Sequence, residues 1–288
     1  MNLAELPNRR VEAWKYSDLR AAVGDAPYAL RGGRDIIERL APCLESIEMT
    51  PGDQRVLIER FDGSALDARA SDIFVHDNAK LTRIVIQTGD GIPLSVARVG
   101  LDKGASFKQF VFATGGRLGR IETHVALEGD GAEVELNGVY MCGPGRHADL
   151  TSVIEHKVGG GITRQLIKGV AAKGGRGVFQ GKIVVAPLAQ KTDARQYHHG
   201  MLLEDGAEVF AKPELMIHAD DVQCAHGNTA GGLDERALFY MRSRGLPEAE
   251  ARALLIEAFL VEAIPEELDA AIRDELTGRI GAWLRERA

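Results

Sequence analysis

Ile121-Glu-Thr-His-Val-Ala-Leu127-Glu-Gly-Asp-Gly-Ala-Glu-Val134 pairs a stretch that alternates apolar and polar residues with a glycine-rich acidic turn, after which alternation resumes. A period of two is that of a strand with one buried face, and the turn residues bound it. Related turns occur at Leu101-Asp-Lys-Gly-Ala-Ser-Phe107 and Leu203-Glu-Asp-Gly-Ala-Glu-Val209, with central glycines Gly104, Gly131 and Gly206. Their separations of 27 and 75 residues approximate one and three multiples of about 25, the period of architectures that stack one coil per repeat. The spacing predicts a solenoid; a β-sandwich with regular loops is the alternative on pattern alone.

The same alternation extends on both sides. Strands are predicted at 73–76, 83–88, 94–99, 107–113, 121–127, 132–141, 150–156, 165–171, 177–185, 197–203 and 208–218. No amphipathic helix separates them, which excludes a Rossmann or TIM-barrel arrangement. Upstream, Val11, Trp14 and Leu19 predict a short docking helix over 6–20 anchored by Trp14; a helix at 34–40 and a short strand at Val56-Leu57-Ile58 follow. Beyond Gly232 the pattern turns helical. Leu233–Arg244 closes with Gly245, Pro247 starts a second helix with Leu255, Phe259 and Leu260 on one face, and Pro265 opens a third with Leu268, Ile272, Leu276, Ile280 and Leu284 in a stripe. The expected division is a mixed N-terminal segment over 1–65, a β-core over 66–230 and a C-terminal helical domain over 231–288.

The chain has 288 residues, 45% of them hydrophobic, enough for a substantial core without staples. A net charge of −7 and a pI near 5.7 give no general basic field, so neither nucleic acid nor an anionic membrane is an expected partner. No apolar run approaches the roughly 20 residues that span a bilayer, and the stretch Met1-Asn-Leu-Ala-Glu-Leu-Pro7 lacks a leader pattern. A cytoplasmic location is expected. Cys43, Cys142 and Cys224, odd in number and without CxxC spacing, suggest neither a disulfide framework nor a self-contained zinc knuckle.

Phosphate loops, nucleophile elbows and HExxH helices are absent. Gly159-Gly-Gly161 and Gly174-Gly-Arg-Gly177 lie between strands with no helix behind them and are expected to be turns. His198 and His199 point to opposite faces of a strand, and His124, His147 and His156 are dispersed, so satisfied polar side chains are expected there. Cys224 and His226 differ. At i and i+2 of an extended segment they share a face, a thiolate and an imidazole suited to zinc or part of an iron–sulfur site. Two ligands complete neither, and a buried cysteine beside a turn-bonding histidine accounts for the same residues; Asp220-Asp221 either orients the imidazole or ends a strand.

Arg9-Arg-Val-Glu-Ala-Trp-Lys-Tyr-Ser-Asp-Leu19, Ala189-Gln-Lys-Thr-Asp-Ala194, Ala219-Asp-Asp-Val-Gln-Cys-Ala-His-Gly227 and Leu238-Phe-Tyr-Met-Arg-Ser-Arg-Gly245 resemble segments of the SufB/SufD family of iron–sulfur cluster assembly proteins. The likeness spans about residues 6–263, and the Cys-Ala-His-Gly segment looks like that of the SufD branch. The resemblance implies a right-handed parallel β-helix with helical ends, a non-ATPase scaffold subunit of a SufB–SufC–SufD complex. It implies a SufB-like partner at the end of the β-helix, where His226, with Cys224, joins a partner cysteine in a transient iron–sulfur cluster site. It also implies a SufC-like ATPase docked on the C-terminal helices, through Leu238, Phe239, Tyr240, Arg244 and Phe259, and a homodimer when the chain is isolated. No cluster is expected on the chain alone. The Arg-Arg-Val-Glu-Ala-Trp-Lys motif begins at residue 9, leaving little room for the helical segment that precedes it in longer members. The rival expectation is a stand-alone polysaccharide-acting β-helix enzyme, which needs clustered carboxylates; acids such as Glu128, Asp130 and Glu204 fall mainly in turns.

Overall fold

Alternation gives each strand one apolar face, and these faces close on a shared interior only if successive strands belong to opposing sheets. The computed structural model of the protein describes residues 3–287; Met1 and Asn2, which open the stretch judged for a leader, and Ala288 lie outside the described residues. In chain order the strands are β1 (Leu44–Met49), β2 (Gln54–Phe61), β3 (Leu66–Val75), β4 (Lys80–Gln87), β5 (Ile92–Leu101), β6 (Ser106–Ala113) and β7 (Gly119–Leu127). There follow β8 (Glu133–Cys142), β9 (His147–His156), β10 (Ile162–Ala171), β11 (Arg176–Val185), β12 (Asp193–Leu202), β13 (Glu208–Ile217) and β14 (Gln223–Gly231). Odd strands form one seven-stranded sheet and even strands a second, each in sequence order and with every pairing parallel. The result is a parallel β-solenoid with short helices at both ends, not a sandwich.

The register measures the coil. Leu44 lies opposite Ala70, a step of 26 residues, and Arg176 opposite Glu208, a step of 32, so coils lengthen along the chain. Each coil has two corners. Gly104 and Gly131 stack in the first, which leads from odd to even strands, the Gly104 N–H donating to Asp130 O at 3.0 Å. Gly206 sits in the second corner, where the Gly174 N–H donates to Gly206 O at 2.9 Å. The step of 27 residues is therefore one coil, whereas the step of 75 crosses from one corner to the other. Both corners use the same left-handed turn, with φ of 70° at Gly131 and 86° at Gly206, so their sequences echo without marking position.

The interior holds Phe61, Leu101, Phe107, Val125, Tyr140, Ile154, Phe179 and Ile183. It also holds polar groups. Arg83, fully buried, donates to both Glu59 oxygens (2.7 and 2.9 Å), to Gln109 Oε1 (2.8 Å) and to Ser95 Oγ across the lumen (2.8 Å). Pairing partners satisfy this buried charge through neighbouring coils.

The outer face of the odd sheet is covered by the N-terminal segment, through Leu6, Trp14, Leu19 and Ile37 on Ala70, Leu94 and Val96. Trp14 is an anchor as expected, 6% exposed. The helix expected over 6–20 is instead a 3₁₀ turn (Glu12–Trp14) and α1 (Leu19–Val23), because the Asp18 side chain accepts from the Ala21 N–H and caps a new helix inside that span. α2 (Ile36–Leu40) is capped by Asp35 in the same way. Beneath this cover Asp149 accepts from Arg120 (2.8 Å) and Ser17 (2.5 Å), and the Arg120 guanidinium stacks on Trp14.

The outer face of the even sheet carries Ile84, Ile86, Phe110, Phe112 and Val139 beneath α4 (Glu248–Val261) and α5 (Ala270–Arg285), with α3 (Glu235–Ser243) before them. Leu276, Ile280 and Leu284 of the expected stripe are buried there. Among the described residues no helix is long and apolar enough to cross a membrane.

Candidate functional site

β14 is the last strand of the even sheet and β13 the last of the odd sheet, so both present a free edge at one end of the solenoid. Cys224 and His226 lie on β14 opposite Ala194 and Gln196. Their spacing puts both on the inward-facing side, but with no further coil over them that side is open. Cys224 is half-buried against the interior apolar residues, and burial raises its thiol pKa, with Asp193 adding to the shift. His226 is exposed and has no hydrogen-bond partner among the described residues. Asp221 is occupied by Lys191 across the corner and does not orient the imidazole.

Among the described residues no three or more His, Cys, Asp and Glu side chains converge as metal ligands. The pair thus supplies two donors, one a protonated thiol whose ligation requires loss of its proton. The acids considered for polysaccharide chemistry are not gathered: Glu128 and Asp130 belong to a first corner, with Glu128 bound to Lys157 at 2.6 Å, whereas Glu204 belongs to a second corner.

A hydrogen-bonded chain runs inward from the same edge. Asn228 Oδ1 lies 2.7 Å from His198 Nδ1, and His198 Nε2 lies 2.9 Å from the Tyr140 hydroxyl. An amide oxygen only accepts, so Nδ1 carries the proton and Nε2 accepts from tyrosine. His198 also stacks on Phe179, with ring centroids 5.1 Å apart, and burial lowers its pKa to about 4. His199 points outward to Thr229, as alternation required. Sequence reasoning placed these rings on opposite faces but missed the chain, since its members lie 30 and 58 residues apart.

His147 and His156 are also lowered to about 4 by burial. All three imidazoles bind protons more weakly folded than at their ordinary value of 6.5, so unfolding takes up protons between about pH 6.5 and 4. Stability is expected to fall as pH drops through that window, with no further loss from these groups below it. Urea unfolding at pH 7 and 4.5 measures this; equal midpoints would contradict it.

In the helical end, Leu238 is 3% exposed and turned inward, whereas Phe239 and Tyr240 are 72% and 59% exposed on α3, with Arg244 stacked 5.2 Å from the Tyr240 ring. Phe259 lies partly buried beneath Lys168, whose ammonium meets Glu262 at 2.5 Å. The expected docking residues therefore divide into an exposed group on α3 and two that support packing.

The profile of the SufBD core domain of SUF system FeS cluster assembly matches residues 45–259. The iron–sulfur cluster assembly protein SufD of Escherichia coli is 36% identical over 60% of this chain and 41% of its own length. A SufBD family protein of Synechocystis is 31% identical over 72% of this chain and 46% of its own length, and one of Mycobacterium leprae 30% identical over 78% and 62%. The chain spans about half the length of the curated relatives it matches. With a profile match over most of its length on a parallel β-solenoid, the chain belongs to the SufBD family of iron–sulfur cluster assembly proteins.

Proposed function

We propose that the protein is a SufD-type, non-ATPase scaffold subunit that pairs with a SufB-like protein through the free edges of β13 and β14 and builds a transient iron–sulfur cluster there. The carrying observation is the placement of Cys224 and His226 on an uncovered edge strand with too few donors for a complete site. A second chain across the edge supplies the missing ligands, satisfies the free backbone groups and covers the half-buried thiol. The cluster is cargo, held at the interface and passed on. A SufC-like ATPase docks on the exposed Phe239–Tyr240 face of α3, and its nucleotide state biases the opening of the interface. Without a SufB-like partner the same edge pairs two copies of this chain. The family's assembly role supports this reading, as does the acidic surface in favouring protein partners over nucleic acid or membrane, with a cytoplasmic setting.

The test is anaerobic reconstitution of the chain alone and of the chain co-expressed with SufB-like and SufC-like proteins, reading bound iron and sulfide. The expected result is little cluster on the isolated chain, a cluster on the complex, and at least about a tenfold loss in affinity for His226→Ala. Because His226 is exposed and unbonded, the variant should unfold within about 0.5 kcal/mol of the parent. Full assembly by His226→Ala would sink the assigned role.

A further inference from the structure

A second charged feature lies away from the edge strands, where α5 meets the second corner. A cleft of about 280 Å³ opens there between Thr88, Thr114 and Arg146 of the corner and Arg279, Trp283 and Arg287 of the helical end. Among the described residues three guanidiniums line it with one carboxylate, Glu286, which is largely exposed and 3.8 Å from Arg287; Glu204 acts on Arg287 from beside the cleft, and Arg279 is paired with Glu275. The chain as a whole has 42 acids and 35 bases, so a local excess of cations is not a by-product of composition. Among the described residues Arg146 has no carboxylate partner at all.

The hydrogen bonds that these arginines make leave donors over. Arg146 Nη1 donates to Gly89 O (3.2 Å) and Gly115 O (3.3 Å), and Arg287 Nη1 donates to Trp283 O (3.0 Å). Those bonds fix where each guanidinium stands. Nε and Nη2 of both find no acceptor among the described residues, and Arg279, which uses Nε and Nη2 on Glu275, keeps Nη1. Arg287 is further braced by its stacking on Trp283, 3.9 Å from the ring centroid, and its Nη2 lies 2.2 Å from where a side chain on Gly143 would begin, so that glycine keeps the position open. Burial lowers the Arg287 pKa below its usual range, opposed by the nearby Glu286 and Glu204 carboxylates and assisted by repulsion from Arg146. Held cations that repel one another and retain forked donors are complementary to a tetrahedral oxyanion.

We propose that this cleft binds a phosphate-type oxyanion, either free phosphate or the head of a small phosphate ester, and that the bound anion ties the last turn of α5 to the second corner. Chloride, a single atom, offers no separate oxygens to the two forks, whereas the oxygens of one phosphate reach both at once. The Thr114 hydroxyl, whose bonds to Gln87 O and Thr88 O are both long at 3.4 Å, is free to turn toward the anion.

The experiment is equilibrium dialysis of the full chain with inorganic phosphate at fixed ionic strength set by chloride, with glycerol phosphate as competitor. One saturable site per chain is expected. Displacement by glycerol phosphate would assign the site to an ester head, and its failure to displace would assign it to free phosphate. Arg287→Gln should weaken binding at least about tenfold, the scale of a lost charge-assisted fork. Glu286→Gln, which removes the competing carboxylate from an exposed position, should tighten it up to about fivefold. Arg146→Gln also loses two carbonyl bonds, so Arg287→Gln and Glu286→Gln decide the matter, with circular dichroism confirming their fold. Amide exchange in the last turn of α5 should slow when phosphate is added. No saturable binding, or equal affinity in parent and Arg287→Gln, overturns the proposal.

Discussion

Asp149→Ala is expected to lower the unfolding free energy by about 3–5 kcal/mol, because it leaves the Arg120 cation buried with its principal neutralising partner gone. Asp149 is fully buried and Arg120 is 1% exposed, so water cannot replace the lost carboxylate. Glu122 remains 2.9 Å from Arg120, but that carboxylate also serves His124, and although burial pushes its pKa up, the Arg120 charge and the hydrogen bond from His124 outweigh it and hold the pKa down to about 2. Asp149 in addition accepts from Ser17, so the substitution loosens the N-terminal segment where Trp14 stacks on Arg120. At about 2–4 °C per kcal/mol for a chain of this order of size, the midpoint should fall by roughly 6–20 °C. Thermal unfolding followed by circular dichroism measures it, and a loss below about 1 kcal/mol would show that the pair is not functioning as a buried ion pair. The double replacement Arg120→Met with Asp149→Leu removes both charges but leaves Glu122 without its arginine, so it should recover only part of the loss.

Gly169→Ala is expected to cost about 1–3 kcal/mol or more by overpacking the interior. A methyl group at that position would stand 2.0 Å from Cζ of the Tyr140 ring, far inside contact distance. The ring cannot retreat. On its other flank Gly177 is equally close, a Cβ there meeting Cε2 at 2.1 Å, and the hydroxyl is held by His198. Two glycines on successive strands thus form a slot for one aromatic ring. Tyr140→Leu in the Gly169→Ala background should restore part of the loss, a coupling that separates crowding from a mere propensity effect. If Gly169→Ala unfolds at the parent's urea midpoint, the slot is looser than its geometry states.

The β-core was legible because alternation is strongest where both faces of a strand are specified, as in β7 and β9, apolar toward the lumen and polar or packed outside. β1 escaped notice for the opposite reason. As Leu44-Glu-Ser-Ile-Glu-Met49 it has a strand neighbour on one side only, and most of its residues remain exposed, so little in its composition marks it. Arg83 illustrates a deeper limit. Alternation puts the arginine of Leu81-Thr-Arg-Ile84 on the inward face of Leu81, and only the register that brings Glu59, Ser95 and Gln109 around it makes that position tolerable. The donors Cys224 and His226 were visible as a pair from their spacing, but only the family resemblance, not the alternation, implied their place at the end of the solenoid, since an edge is defined by the strand that does not follow. Gly131 and Gly206 look alike because the same backbone turn is used at both corners, and nothing local says which corner a turn occupies.

Register also has a consequence for how such a molecule can vary. Lys80 lies opposite Ser106, so residues 80–105 begin and end at equivalent points of successive coils. A chain that passed from Ala79 directly to Ser106 would keep the order of both corners and leave β13 and β14 unchanged. The end face that carries Cys224 and His226 is, in that sense, a connector of fixed shape on a shaft of adjustable length.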